Sequence, residues 1–257
     1  MEAKTKLWLK ENLTDGEKSA LSVLLPLGAL TVDMAEAIRR GNAEEIVYCT
    51  EEAVLLRHAC GICMLWAKSA GAGELALAAL NGGDEYLGMS CCVAHGPAAK
   101  DAIAVLTKLY VEPPCVQFCR YSKEKLPLRN ESSVRALELD DLDIVNATYK
   151  LGDPEHNRER IENGLMFGLE VDGELAAFMG FHMDGSTGML EVLPRFRRRG
   201  LGTELENFMH DLHIDRGWVP YGHVYTDNEA SLAMQRKIGL ECASELIYWT
   251  YRTDIKW

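Results

Sequence analysis

The sequence lacks a hydrophobic run long enough to span a bilayer. Its longest apolar runs, such as Leu21–Leu30, are interrupted by Gly and Pro and fall short of the ~20 residues that a transmembrane helix needs. The first residues, Met1–Lys6, carry mixed charge rather than the apolar core of a secretory signal. These absences predict a cytoplasmic protein with no membrane partner.

An excess of positive charge is also missing. The net charge is −12, and residues 133–257 account for −9 of it against −3 for residues 1–132. An acidic body repels the phosphate backbone, so nucleic acid is not an expected partner. An acidic surface around a pocket would instead favour an amine-bearing substrate.

A second Cys-x-x-Cys pair is absent among the eight cysteines. Cys60-Gly-Ile-Cys63 is the best metal candidate, with His58 and Cys49 nearby, but a zinc ribbon needs two such pairs. Most of the cysteines lie in apolar, strand-like stretches, where a free thiol behaves as a small buried hydrophobe. We therefore expect reduced thiols and no metal, with metal and redox roles for Cys60 and Cys63 as the alternatives.

The two halves of the chain show a similar order of predicted elements. Residues 1–130 predict short helices, a three-stranded meander, and then strand, helix and strand. A polar stretch at 122–132 predicts a linker. Residues 131–257 predict two helices, a hairpin across Asp172-Gly173, and then alternating strands and helices. The expected class is α/β with a mixed sheet, in two domains at 1–130 and 131–257.

The most informative stretch begins where a strand ends at Pro194. Two glycines, Gly200 and Gly202, then open a long helix after the basic run Arg195–Arg199. Glycines let backbone amides approach a ligand, and a helix N-terminus presents unpaired N–H groups with partial positive charge. This pattern predicts a binding site for a pyrophosphate. It lacks the Gly-Lys-Ser/Thr end of a Walker loop and the three glycines of a dinucleotide fingerprint.

Arg197-x-x-Gly-x-Gly after a strand and a proline resembles the acyl-CoA signature of the GNAT superfamily of N-acetyltransferases. A second segment, Asn228 to Leu240, resembles the other signature of that family in position and order. Within the superfamily, 194–201 and 221–231 look most like the glycine N-acyltransferase branch. That branch carries an N-terminal half built as a degenerate copy of the same fold, which would make this chain two tandem GNAT-type domains.

The resemblance implies a set of sites for acetyl-CoA. Backbone amides from Arg198 to Thr203 would hold the pyrophosphate, and Asn228 would hydrogen-bond the pantetheine arm or simply cap its helix. The expected cofactor-binding residues are Leu193, Arg197, Arg198, Arg199, Gly200, Leu201, Gly202, Thr203, Asn228 and Ser231.

The catalytic candidates are less closely tied to the family pattern. Glu191, an acid in an apolar strand, is the first candidate for the base that takes the amine proton, and His182 and Asp184 follow. Many family members place a tyrosine acid where this chain has Gln235, so Tyr225 or water would have to protonate the leaving thiolate. The glycine N-acyltransferase base position is occupied by Ser186, and glycine specificity is therefore not expected.

These features predict an enzyme that transfers an acetyl or short acyl group from CoA directly to the primary amine of a small molecule. A non-catalytic acyl-CoA sensor is the main alternative, since Gln235 replaces the usual acid. A protein-modifying acetylase is a third option, and a homodimer is an open one.

Overall fold

The computed structural model describes residues 9–80, 89–104, 109–126, 128 and 134–253. They fall into two compact units, one of Met1–Tyr121 with Arg216–Trp257 and one of Ser122–Asp215. The described elements of the first unit are α1 (Asp15–Leu24), α2 (Val32–Arg39), β1 (Ala43–Cys49), β2 (Ala53–His58), β3 (Ile62–Ala67), α3 (Ala70–Ala78), β4 (Cys91–His95), α4 (Pro97–Ala104), β5 (Leu109–Val111), β6 (Cys115–Cys119), β11 (Tyr221–Tyr225), α8 (Glu229–Lys237), β12 (Glu241–Cys242) and β13 (Ile247–Arg252).

The described elements of the second unit are β7 (Val134–Ala136), α5 (Leu142–Thr148), α6 (Pro154–Glu162), β8 (Met166–Val171), β9 (Glu174–Phe181), β10 (Thr187–Val192) and α7 (Leu201–Asp215). Its four strands pair antiparallel in the order β10-β9-β8-β7. The hairpin across Asp172-Gly173 forms as predicted, with both residues at positive φ.

The first unit is built on a mixed sheet with the strand path β1-β2-β3-β4-β13-β6-β11. β3 and β4 pair in parallel, whereas β13 lies antiparallel to β4. One face packs on α3 and α4 through residues such as Leu55 and Leu65, and the other packs on α1 and α2 through residues such as Leu56 and Met64. Because side chains alternate along a strand, a sheet covered on both faces has the near-continuous apolar strands seen here. The predicted α/β class with a mixed sheet is confirmed.

Three late strands, β11 to β13, join the sheet of the first unit rather than that of the second. β13 lies between β4 and β6, and β11 pairs with β6 from Tyr221 opposite Cys119 to Tyr225 opposite Cys115. The compact units are therefore not the contiguous halves 1–130 and 131–257. The sequence indicated each of these strands but not its partner.

The N-terminal helical segment Asp15–Arg39 is long and apolar enough, by length and composition, to cross a membrane. It is not one uninterrupted α-helix, because a 3-10 turn with Gly28 at positive φ separates α1 from α2. Of its most apolar window, 61% is buried inside the protein. A buried helix of a core has the same composition, so the segment is weak support for a span.

Candidate functional site

Strand β10 carries a β-bulge in the middle of its pairing with β9. Gly188 lies opposite Gly180, but the next paired residue, Glu191, lies opposite Phe178, so β10 has one extra residue there. Met189 takes up the distortion at φ 57°, a conformation that costs a non-glycine residue energy. The bulge therefore changes which face of the sheet the following side chains occupy.

Glu191 follows the bulge and is half-buried. Partial burial raises the pKa of its carboxyl above the ordinary value of 4.5, against the opposing effect of the nearby Arg197. Tyr149, at the end of α5, lies close enough for Glu191 to affect it: burial first and then the Glu191 charge raise the pKa of this phenol to about 12. Glu191 and Tyr149 are thus close enough to interact electrostatically. Sequence reasoning found Glu191 but missed Tyr149, for which no motif gave a signal.

The turn from β9 to β10 gathers the other predicted acid–base residues. Asp184 is buried, and both the amide and the hydroxyl of Ser186 donate to its Oδ1, at 3.1 and 2.8 Å. The His182 ring lies over Gly188, where an added Cβ would be 2.2 Å from Nε2. Gly188 is therefore required for His182 to take this position.

The loop after β10 is short and tightly turned. Pro194–Phe196 forms a 3-10 turn, and Phe196 is buried while the arginines around it are exposed. The guanidinium groups of Arg195 and Arg199 lie 4.7 and 5.4 Å from the Phe196 ring centroid. The Arg197 Nε donates to the carbonyl of Val192 at 2.9 Å, which ties the loop back to the end of β10. The apolar anchor fixes the loop and leaves its cationic groups in solvent.

The start of α7 provides the backbone donors that the sequence predicted. Arg198 and Gly200 have φ of 63° and 84°, and the first helical hydrogen bond runs from Glu204 to the Gly200 carbonyl at 3.1 Å. The amides of residues 201–203 precede this bond and so have no partner within the helix. They lie at the positive end of a fifteen-residue helix, beside four arginines in the run 195–199. Such an arrangement binds a multiply charged anion.

The remaining predicted residues lie in the first unit, on β11 and α8. Asn228 is the N-cap of α8, and its Oδ1 accepts the Ser231 amide at 3.1 Å. The Tyr225 hydroxyl donates to Glu112 Oε2 at 3.1 Å. Gln235, in the family's tyrosine position, is buried. The capping role of Asn228 is observed, and its amide nitrogen is not used by the cap.

The alternative of a metal site at Cys60 and Cys63 has no supporting cluster in the part of the chain that the structure describes. No group of three or more His, Cys, Asp or Glu side chains there is placed to hold an ion. The two cysteines of the Cys-x-x-Cys pair lie in different environments: Cys63 is buried, whereas Cys60 is partly exposed.

Residues 133–240 match the family model described as acetyltransferase (GNAT) family. Among solved structures, a Drosophila protein is similar over 95% of this chain and 98% of its own, at 15% identity and a TM-score of 0.59. A putative GNAT acetyltransferase from Novosphingobium aromaticivorans covers 77% of this chain and 88% of its own, at 22% identity and a TM-score of 0.50. A GCN5-related N-acetyltransferase from Kribbella flavida covers 91% and 95%, at 11% identity and a TM-score of 0.53. At such identities these likenesses show the fold. No curated protein with a matching sequence was found.

Proposed function

We propose that this protein is an N-acetyltransferase that moves an acetyl group from CoA to the primary amine of a small molecule, because residues 133–240 match the model of the GNAT acetyltransferase family. The proposal extends to a cytoplasmic enzyme related to the glycine N-acyltransferase branch, on the strength of the segments 194–201 and 221–231. It includes two tandem GNAT-type halves at 1–130 and 131–257, the first without a CoA site. The late strands of the second half complete the sheet of the first unit, so these halves do not coincide with the two compact units.

The start of α7 is the observation that carries the proposal. Its unpaired amides, the positive φ of Gly200 and the anchored arginines match the needs of a pyrophosphate flanked by a 3′-phosphate and a ribose. All of these features were indicated by the sequence, and all of them lie in the same compact unit, Ser122–Asp215. Asn228 would add a hydrogen bond to the pantetheine arm through its amide nitrogen.

The reaction needs a neutral amine and a protonated leaving group. The amine nitrogen attacks the thioester carbonyl carbon, the C–S bond breaks, and the proton lost by nitrogen must be accepted by a base. Glu191 fits this role because its raised pKa makes it a better proton acceptor than an exposed carboxylate. His182 is the other candidate base for the acceptor amine, and Tyr225 is the candidate acid that protonates the leaving thiolate. No covalent enzyme intermediate is required.

A non-catalytic acyl-CoA sensor is the second candidate. It is favoured by Gln235 in place of a proton donor, and by the Tyr225 hydroxyl, whose proton is directed at Glu112. A sensor would bind acetyl-CoA at α7 but release no thiol with any amine.

Calorimetry with acetyl-CoA tests the binding site. We expect Gly202→Glu to abolish measurable binding, because its carboxylate would occupy the place of the pyrophosphate. An acid in the first turn is compatible with the helix dipole, so α7 should persist. Gly71→Glu is the matched control, since Gly71 is exposed on α3 with no atom within 4 Å of an added Cβ. Unchanged affinity in Gly202→Glu would refute the site.

The choice between enzyme and sensor needs a separate measurement. A free-thiol release assay over amino acids, polyamines and aminoglycosides should give turnover with at least one acceptor class. Acetyl-CoA binding without thiol release across the whole panel would favour the sensor.

A further inference from the structure

The turn between β2 and β3 holds a cysteine–histidine pair that the proposed acyl transfer does not use. The Cys60 Sγ lies 2.9 Å from His58 Nδ1, and the backbone amide of Cys60 points at the same nitrogen at 3.2 Å. Cys60 is partly exposed, whereas His58 is only 2% exposed. Cys60 is thus the more accessible residue of the pair, and the imidazole contacts its sulfur from a buried position.

The two contacts at Nδ1 indicate the tautomer of His58. A backbone amide can only donate, so Nδ1 of His58 presents its lone pair to Cys60, and the ring proton is on Nε2. The Cys60 amide and the Cys60 thiol then share this one lone pair, with the thiol as the donor in the contact between sulfur and nitrogen. His58 is therefore placed as a base for the Cys60 thiol.

The surrounding backbone holds this geometry in place. His58 is the last residue of β2 and lies opposite Ala43 in β1. The Gly61 amide donates to the His58 carbonyl at 2.8 Å, and the Ala59 amide donates to Asn42 at 2.7 Å. Gly61 has a φ of 88°, and this conformation closes the turn. Residues with a side chain adopt such a φ only at an energetic cost. The backbone hydrogen bonds on either side of the pair thus fix the turn that carries it.

The other cysteines lack this combination of exposure and base, and Cys91 is buried. Burial raises the pKa of the Cys49, Cys63 and Cys92 thiols, and it raises those of Cys115 and Cys119 to about 12. A buried thiol with a raised pKa is a poor nucleophile. Cys242 is the exposed thiol of the described residues, and its Sγ contacts the Ala243 carbonyl at 3.5 Å, an acceptor that cannot take a proton.

We propose that Cys60 is the reactive thiol of this protein, a site for modification by peroxides and soft electrophiles with His58 as its base. With hydrogen peroxide, the sulfur attacks one peroxide oxygen, the O–O bond breaks, and water leaves. The sulfur is oxidised to a sulfenic acid while the peroxide is reduced, and the thiol proton passes through His58 to the leaving hydroxide. With an alkyl halide, an S–C bond replaces the carbon–halogen bond, halide leaves, and His58 takes the thiol proton and passes it to water.

Site-resolved labelling of the intact native chain tests this. Iodoacetamide is applied at pH 7, and the rate at each cysteine is followed by peptide mass spectrometry. We expect Cys60 to react roughly tenfold faster than Cys242, although Cys242 is the more exposed, because reactivity follows thiolate character. A second arm with hydrogen peroxide and dimedone should trap the sulfenic acid at Cys60 first.

His58→Asn is the matched variant. The Asn Oδ1 can still accept the Cys60 amide but is not a base, so the labelling rate at Cys60 should fall to that of Cys242 or below. Cys242 then serves as the internal control and should be unchanged. A misfolded variant would be recognised by rapid labelling of the buried cysteines as well. The unmutated protein would still decide the matter through its Cys60 to Cys242 ratio. A ratio of one or less, or an unchanged Cys60 rate in a folded His58→Asn, would overturn the proposal.

Discussion

Glu191 shows how far a single residue can be interpreted from sequence. An acid in the apolar run 189–193 indicated either chemistry or an exposed edge, and the structure finds the side chain half-buried with a raised pKa. What the sequence could not supply was the bulge at Met189, which sets the face that Glu191 occupies. Nor could it supply the neighbour Tyr149, which is brought to β10 by tertiary packing alone.

Replacing Glu191 tests its role as the base. Glu191→Gln should bind acetyl-CoA as the parent does and lose about 10²–10⁴-fold in turnover, the usual contribution of a general base. The parent's acidic limb in kcat/KM should lie above pH 4.5, because the pKa of this carboxyl is raised, and the variant's profile should be flat there. Steady-state kinetics by thiol release over a range of pH give both results.

Asp172→Asn is the control for that change. It removes a carboxylate from the same sheet at an exposed hairpin turn, where Asn tolerates the positive φ. Turnover by Glu191→Gln within a few-fold of the parent, at saturating acceptor, would assign the base to His182 or to water instead.

A second residue-scale feature, a buried polar cluster under α2, was not indicated by any motif. The Asp33 carboxylate contacts His95 Nε2 at 2.8 and 2.9 Å and accepts from Gln117 Nε2 at 3.2 Å. Gln117 in turn contacts His223 on β11, and His95 Nδ1 lies 3.1 Å from the Leu65 carbonyl. Asp33 and His95 are fully buried. The cluster fixes α2 on the sheet and ties β11 to it.

Asp33→Asn should lower the free energy of unfolding by about 3–5 kcal/mol, because it leaves a buried partner uncompensated. Burial opposes the charge on Asp33, but His95 and the hydrogen bonds outweigh it, so the pKa of this carboxyl lies below 3.8. Its stabilising contribution is therefore present above about pH 4 and is lost as the pH falls below that value. Urea unfolding of parent and variant at pH 7 and pH 3 should show the difference shrinking at the lower pH.

The exposed Asp15 gives the comparison for this prediction. The Asp15 side chain is fully exposed, so Asp15→Asn should leave the stability nearly unchanged at either pH. An Asp33→Asn protein that is as stable as the parent at pH 7 would contradict the ion-pair account.

At the scale of elements, the sequence predicts most helices and strands because each carries its own period and its own terminators. The hairpin at Asp172-Gly173, the strand before Pro194 and the helix from Gly200 all form where local chemistry places them. The partners of each strand are not predictable in this way, because β13 is an apolar strand that would suit either sheet. Its place between β4 and β6 depends on the whole fold.

The N-terminus of α8 separates two roles of Asn228. Asn228→Ala should lose the cap, at about 1 kcal/mol in unfolding free energy, and should also weaken acetyl-CoA binding. Asn228→Ser keeps a capping oxygen but has no amide nitrogen, so it should restore stability without restoring affinity. Thermal unfolding and calorimetry on the three proteins check this. If Asn228→Ser binds acetyl-CoA like the parent, Asn228 is a cap and nothing more.

At the scale of the whole molecule, the two halves of the chain differ where a strand leads into a helix, at β4 and α4 in the first half and at β10 and α7 in the second. α4 follows β4 directly through Gly96 and Pro97, without the basic loop that precedes α7. A carboxylate oxygen of Glu245 lies 2.0 Å from where a Cβ at Gly96 would be. An internal acid thus lies at the start of α4. That the first half is a degenerate GNAT-type domain stays a prediction.

The late strands make the two halves of the chain depend on each other for folding. In a fragment of residues 131–257, β11 and β13 have no counterpart of β6 or β4 to pair with. Strands without partners expose unpaired backbone N–H and C=O groups at a sheet edge, which favours aggregation. We expect neither 1–130 nor 131–257 alone to give a cooperative unfolding transition, and the two mixed to recover one, as followed by circular dichroism and size-exclusion chromatography. Acetyl-CoA binding should return with the mixture. Should 131–257 unfold cooperatively and bind acetyl-CoA by itself, it would be an autonomous domain, and the pairing of β13 with β4 would be dispensable for the site.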